Sequence, residues 1–509
     1  MTLLIRNVRI VGEARASEER SDIFVQNDII SAIGSLGNKK ADEVIDGQGT
    51  YLAPGFIDVN TDSDHYLTLF DNPAQEDFLK QGVTTIFGGM CGASLAPLLY
   101  GSLESIRKWG DIHCVNVGWQ SLGELLDILS SRGLGVNFGT LIGHSTIRRA
   151  LAGENFRNLT KNELKVFIST LERGMSEGGF GLSSGLSYVH ARETSYAELK
   201  ALGEVVQKRN GVYATHLRKS GEDLLNSLEE TVKLRKETGV KTIISHFQPF
   251  MGTEELYDTA LKNLEELSTD RAVYFDTYPF DASVVPLYTL LPLWAQETNL
   301  ETMAANLKDA WKRKKIIKEL PELSGDGLIV ASAPGHEPLI GKNIETLKEM
   351  YGVSLGAEAL LQLMRATDLR AIVFYKNIAA NLLTQALAHP RSLIATNAAS
   401  IKEGRQIGML KPERATNTFP KFLDIVSLKR LMPLESAIQK ITKTPAELLG
   451  IKGRGEIKEG NYADLVGFSW KEGGASATEI KFVVVNGTIA VQNGISKETL
   501  RGRILKHQS

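Results

Sequence analysis

The 509-residue chain is predicted to be an α/β protein, a (β/α)8 TIM-like barrel carrying a small β-sandwich domain formed by both chain termini. Three observations predict this. Eight short, almost continuously apolar segments alternate with amphipathic helical segments through the middle of the chain, as parallel strands buried on both faces do. Both ends alternate apolar and polar residues instead, the pattern of strands with one solvated face. The reactive residue types fall at the C-terminal ends of the apolar segments, where such a barrel keeps its chemistry. An open doubly wound sheet is the alternative arrangement of the same units.

At the start, LLIRNVRI (3–10) and SDIFVQNDIISAIG (21–34) carry the alternation, with Asn27-Asp28 as a turn. At the end, YADLVGFSW (462–470) and KFVVVNGTIAVQNGI (481–495) repeat it, and Asn486-Gly487 is a hairpin signal. Neither end buries a core alone, so residues 1–53 plus 450–509 are expected to form one domain around the barrel of 54–449. The barrel strands are read at 55–60, 84–90, 136–143, 179–185, 212–217, 241–247, 273–280 and 392–398. Thr160 to Glu163 and Ser195 to Glu198 have capping-box spacing and mark two helix starts. The last two strands are separated by residues 281–391, which hold a predicted helix at 300–319 and the apolar run VVPLYTLLPLWA (284–295). A connection that long reads either as a functional insertion near the barrel mouth, at about 284–390, or as a packing or oligomer element.

Composition narrows the function classes. Lys plus Arg (58) against Asp plus Glu (60) leaves a net charge of −2 without basic runs, which argues against nucleic acid or an anionic membrane as partner and for a small-molecule substrate. Two cysteines, Cys91 and Cys114, build no disulfide framework in a chain of this size, so a reducing cytoplasm is expected, and a monomer or small homo-oligomer. The opening MTLLIRNVRIVGEARASEER has charges interrupting every apolar run and does not read as a signal peptide. From Gln81 to Leu103 there is no charge for 23 residues, but five glycines and a proline make this a buried strand followed by a Gly-rich loop rather than a membrane span.

The C-terminal ends of the strands present Asn60 and Asp62, Cys91, His144, His216, His246, Tyr278 and Asn397. Cys91, His216 and His246 suit Zn2+: one thiolate and two imidazoles are borderline-soft donors, and three protein ligands leave a position for water. A small buried Cys with two hydrogen-bonded core histidines is the other reading of the same residues. His144 reads as a supporting or packing residue rather than a ligand, and Cys114 as an ordinary small hydrophobe.

The motifs LAPGFIDV (52–59), QGVTTIFGGMCGASLAP (81–97), GHSTIRRAL (143–151), GLSSGLSY (181–188), YATHLR (213–218), ISHF (244–247), DTYPFDAS (276–283), RATNTFPKFL (414–423) and TPAELLGIKGRGEIKEGNYADLV (444–466) occur in one order along nearly the whole chain. With them the chain resembles the N-acyl-D-amino-acid deacylases (D-aminoacylases) of the amidohydrolase superfamily. The resemblance implies a metal-bearing barrel plus terminal β-sandwich, one tightly held zinc on Cys91, His216 and His246, and an N-acyl amino acid or related amide as substrate. It assigns Tyr278, Ser283 and Arg414 to the acylated amino acid, with Arg414 on its carboxylate; a guanidinium fork presents two donors to two oxygens. Read without the resemblance, Arg414 is a solvated surface residue and Tyr278 ordinary barrel packing.

Three positions depart from the family pattern. The family has His-x-His after strand one where this chain has Asn60-Thr61-Asp62, and a catalytic Asp after strand eight where this chain has Asn397. A Lys after the strand-six His is replaced in His246-Phe247-Gln248-Pro249. The first two changes fall on the weaker, second metal position and on proton transfer. An asparagine amide neither takes a proton from water nor gives one to a leaving amine. Asp64 matches an acidic family position, and Asp62 is the candidate for a relocated base or an oxygen ligand to zinc. Two functions follow: a one-zinc amide hydrolase, or a catalytically silent relative that binds a small acylated ligand. A lysine-bridged two-metal enzyme of the hydantoinase kind is disfavoured, because Cys91 stands where the bridging group belongs.

Overall fold

The strands at the centre of the chain are Phe56–Asp58, Val83–Gly88, Asn137–Thr140 with Ile142–Gly143, Gly181–Gly185, Val212–His216, Lys241–Ile244, Val273–Thr277 and Ser392–Ile394. We call them barrel strands one to eight. Their ladders are all parallel, in two sheets that meet at strand three. That strand is interrupted at Leu141: its first half pairs with strand two and its second half with strand four. Strands eight and one close the ring through backbone hydrogen bonds beyond their ends, Asn397 N–H to Asn60 O at 3.0 Å and Asp62 N–H to Ala398 O at 2.9 Å. The structure, a computed structural model, describes residues 1–12, 20–101, 103–106, 112, 115–153, 157–267, 272–296, 300–401, 408–474, 477–497 and 499–508. Cys114 lies outside them.

Apolar side chains from most strands fill the barrel interior, among them Ile57, Phe87, Phe180, Val212, Ile243 and Leu393. Phe87 and Phe180 meet edge to face at 4.9 Å, each contributing ~1.5–3 kcal/mol by burial. The 81–103 stretch enters as buried strand two and leaves as a loop, and no helix among the described residues is long and apolar enough to cross a membrane.

Both termini contribute to one nine-stranded sheet, in which Tyr51–Pro54 pairs with Thr2–Ile10 on one side and Leu465–Ser469 on the other. Leu3, Ile23, Leu52, Leu465, Phe482 and Val484 share a core drawn from the two ends. Asn486 and Gly487, with φ of 45° and 78°, make the expected hairpin turn, whose type needs positive φ at both residues. Asn137 of strand three donates to Asp464 at 2.9 Å, and Arg454 pairs with the same carboxylate, tying this layer to the barrel.

The long connection folds on its own core of Leu287, Leu328, Val330, Leu360 and Met364. Its sheet is antiparallel, with Ile372–Lys376 between Ala282–Pro286 and Leu328–Ser332. Tyr66, Ala399 and Ile401 of the barrel mouth pack against Ala331 and Ile372 of this sheet. The helix expected at 300–319 is two, Leu300–Asn306 and Ala310–Glu319, because Asp309 breaks the run and caps the second by accepting from Lys312 N–H at 2.9 Å. Thr160 forms a full capping box. Ser195 forms only half of one, because the Glu198 carboxylate turns away to His144 (2.8 Å) and Arg148 (3.2 Å).

Candidate metal centre

Cys91 is presented by the glycine turn that follows strand two. A Cβ on Gly89 would stand 2.0 Å from the Leu141 carbonyl oxygen, and one on Gly92 2.7 Å from the Gly185 nitrogen. Both have positive φ, 72° and 81°, so only glycine passes here without moving the backbone. Ser183 of strand four fastens the turn, donating to Gly89 O and accepting from Gly92 N–H. Asp64 accepts from Gly89 N–H at 2.6 Å.

His216 ends strand five, and its Nε2 meets the Ser187 hydroxyl at 3.0 Å. His246 follows strand six, and its backbone N–H donates to Asp276 at 2.7 Å. The two imidazoles stand 4.2 Å apart, nearly perpendicular at 89°. Cys91 Sγ lies 3.3 Å from His246 Nε2, and one donor atom from each of the three residues falls within 4.8 Å of the others. Tetrahedral zinc with bonds of ~2.3 Å to sulfur and ~2.05 Å to nitrogen separates those atoms by ~3.6 Å, so the donor set fits the ion. Burial lowers the His246 pKa, which keeps the ring in the neutral form a metal ligand needs. Cys91, His246 and Asn397 all hold left-handed backbone, with φ of 51°, 37° and 47°, the kind of local strain that collects at functional sites.

Beneath this set lies Asp276, fully buried in strand seven. Asn397 Nδ2 donates to its Oδ1 and Asn60 Nδ2 to its Oδ2, both at 3.0 Å. Burial raises the Asp276 pKa, against these donors and the neighbouring His246. The two asparagines at the positions departing from the family pattern are therefore clasped onto one carboxylate. Both amide nitrogens are hydrogen-bond donors to this carboxylate and offer a metal no lone pair.

Asp62 stands at the mouth with its side chain 18% exposed and His65 wholly buried behind it, Nδ1 to Oδ1 at 3.0 Å. The other ring nitrogen faces the Ala93 carbonyl at 3.1 Å. Burial pushes the His65 pKa down, but Asp64 and Asp62 outweigh it and raise it to about 9. Burial likewise works to raise Asp62, and His65, Arg414 and His246 hold it below the usual carboxylate range. Tyr188 sits over the set, its ring 5.3 Å from that of His216. Burial, with Cys91, Tyr288 and Asp62 nearby, lifts its pKa well above the ordinary tyrosine value, so its hydroxyl stays a donor. Arg414 opens the helix Arg414–Lys429 and is only 8% exposed, its guanidinium 4.9 Å from the centre of the Tyr278 ring. Ser283, on the first strand of the insertion sheet, donates to Asn377 at 2.8 Å.

Residues 136–490 match the amidohydrolase family. The chain belongs to that family. A D-aminoacylase of Alcaligenes xylosoxydans xylosoxydans is 28% identical, over 99% of this chain and 97% of its own. The crystal structure of a D-aminoacylase, 25% identical, superposes with a TM-score of 0.79 over 99% of both chains. An N-acyl-D-glutamate deacylase from Bordetella bronchiseptica, solved with zinc and a phosphonate mimic of the tetrahedral intermediate, shares the fold at TM-score 0.79 and 23% identity over 99% of both chains.

Within this amidohydrolase the structure draws Cys91, His216 and His246 together and brings the charges of Asp62 and Arg414 close to them. His144 turns away from the mouth, fully buried against Phe167 and bonded to Glu198. His65, Tyr188 and Asp276 escaped the sequence reading. Tyr188 and Asp276 lay inside quoted motifs without a role, and His65 has no spacing that separates it from any loop histidine.

Proposed function

We propose that this amidohydrolase cleaves the amide bond of N-acyl-D-amino acids or related small amides, using one zinc ion held by Cys91, His216 and His246. The convergence of a thiol and two imidazoles at one end of the barrel carries the reading, and the likeness to a D-aminoacylase along 99% of the chain supports the substrate class. Zinc in such a set supplies Lewis acidity, bringing a water near to ionisation at neutral pH. Its Cys ligand suits a reducing cytoplasm.

The protein supplies the rest. The Arg414 fork binds the substrate carboxylate, with Tyr278 beneath the guanidinium, and Ser283, which the resemblance assigns to the same ligand, lies on the strand Ala282–Pro286. Tyr188 donates its hydroxyl to the amide carbonyl oxygen, where negative charge grows as water adds. Asp62 accepts a proton from the attacking water as the C–O bond forms, and returns it to nitrogen as the C–N bond breaks. The new carboxylic acid then ionises to leave a carboxylate and an ammonium product. Asn397, its amide nitrogen committed to Asp276, does not take part in proton transfer.

That same clasp favours the second reading, a silent relative that binds an acylated ligand, because the strand-eight base is gone. Turnover of N-acetyl-D-amino acids and their L enantiomers, in metal-free and zinc-loaded protein, separates the two. Zinc-dependent release of the free D-amino acid is expected. A zinc-loaded protein that binds these compounds without cleaving any of them is the silent relative.

A further inference from the structure

We infer that His65 is a positioning residue for Asp62, and that the pair forms the proton-transfer unit standing in for the strand-eight carboxylate. The inference rests on the amide-hydrolase reading and deepens it. Its ground is the arrangement of the loop after strand one. His65 has no exposed surface, whereas the Asp62 carboxylate in front of it reaches the mouth. Both ring nitrogens face oxygen acceptors, Asp62 Oδ1 at 3.0 Å and the Ala93 carbonyl at 3.1 Å. An imidazole satisfies two acceptors only by carrying hydrogen on both nitrogens. The ring is thus a fixed double donor, anchored at its rear on the chain two residues beyond Cys91.

This anchoring does two things for Asp62. The hydrogen bond to Oδ1 fixes the carboxylate plane, and among the described residues Oδ2 has no hydrogen-bond partner in the protein. The backbone of Asp62 is held as well, its N–H donating to Ala398 O across the closure of the barrel at 2.9 Å. One carboxylate oxygen is therefore oriented and the other left for water, as a general base requires. The rival carboxylate, Asp276, has no exposed surface and already accepts three N–H groups. During turnover the water proton goes to Asp62 and then to the leaving nitrogen, while His65 keeps both of its protons.

Four variants and one spectrum test this. Asp62→Asn is expected to lower kcat about 100-fold or more, the scale of a lost general base, with zinc content unchanged. His65→Ala is expected to lower kcat about 10- to 100-fold, with KM within about threefold. His65→Asn sets an amide N–H where ring Nδ1 stood and restores most of the lost rate. His65→Gln reaches only the Nε2 position, toward Ala93, and stays as slow as the alanine variant. Equal rates for the Asn and Gln variants, or an unimpaired alanine variant, overturn the inference while leaving hydrolysis intact. In 15N spectra of histidine-labelled protein, both ring nitrogens of His65 are expected to be protonated at neutral pH. A singly protonated ring in the wild type overturns the pair without reference to turnover. A wild type that shows the doubly protonated ring but cleaves no N-acyl amino acid overturns the hydrolase reading, and the proton-transfer role with it.

Discussion

The side-chain amide of Asn397 donates to the buried carboxylate of Asp276 across 3.0 Å. Asn60 takes the other oxygen of the same group at the same distance, so the floor of the site is a neutral amide clasp around one acid. Asn397→Asp therefore does not simply restore a base. It sets two carboxyl groups in contact, of which only one ionises at neutral pH. The variant is expected to lose ~1–3 kcal/mol of stability through the broken buried bond and to gain no kcat. Thermal unfolding and turnover measured side by side check this; a variant as stable as the wild type and faster than it contradicts the clasp.

A second acid closes the barrel. Asp58 accepts from Thr396 N–H, the Thr396 hydroxyl and Asn60 N–H, yet burial outweighs these donors and raises its pKa to about 8. A folded-state pKa above the unfolded value near ~3.9 means the folded chain holds the extra proton. The stabilising contribution is complete below that lower value and is lost as pH climbs toward about 8. Asp58→Asn, which does not titrate, is expected to flatten the fall in stability over this window in urea unfolding. An unchanged slope places the titration elsewhere.

The barrel was legible because parallel strands buried on both faces leave unbroken apolar runs, and the terminal layer because one solvated face leaves alternation. Cys91 stood out for its residue type at a strand end. Helix breaks were less visible: Asp309 interrupts a predicted helix by capping, a local choice that periodicity averages away. Glu198 has capping-box spacing, but its carboxylate serves His144 and Arg148 instead, a tertiary pairing no local pattern records. His65 acquires its role only when the chain after strand two brings Ala93 behind it. The departures at Asn60 and Asn397 were readable one by one; their shared partner Asp276 emerges only in three dimensions.

Arg414 lies with its guanidinium against the Tyr278 ring and is almost entirely buried. If it holds the substrate carboxylate as a fork, Arg414→Lys replaces two parallel donors by a single point charge. KM for an N-acyl amino acid is expected to rise about tenfold or more, a loss of ~1.4 kcal/mol, with a smaller change in kcat. The matching N-acyl amino amide, which has no carboxylate, is expected to show no such rise. Steady-state kinetics on the two substrates makes the comparison, and equal rises on both would remove Arg414 from carboxylate recognition.

The proposed hydrolysis depends on a single zinc held by Cys91, His216 and His246. Metal analysis of the purified protein tests for that ion. One tightly held zinc per chain is predicted, resisting dialysis in the wild type, lost in Cys91→Ala, and joined by no second equivalent when excess zinc is offered. A wild type that retains no metal, or a Cys91→Ala variant that keeps a full equivalent, contradicts it.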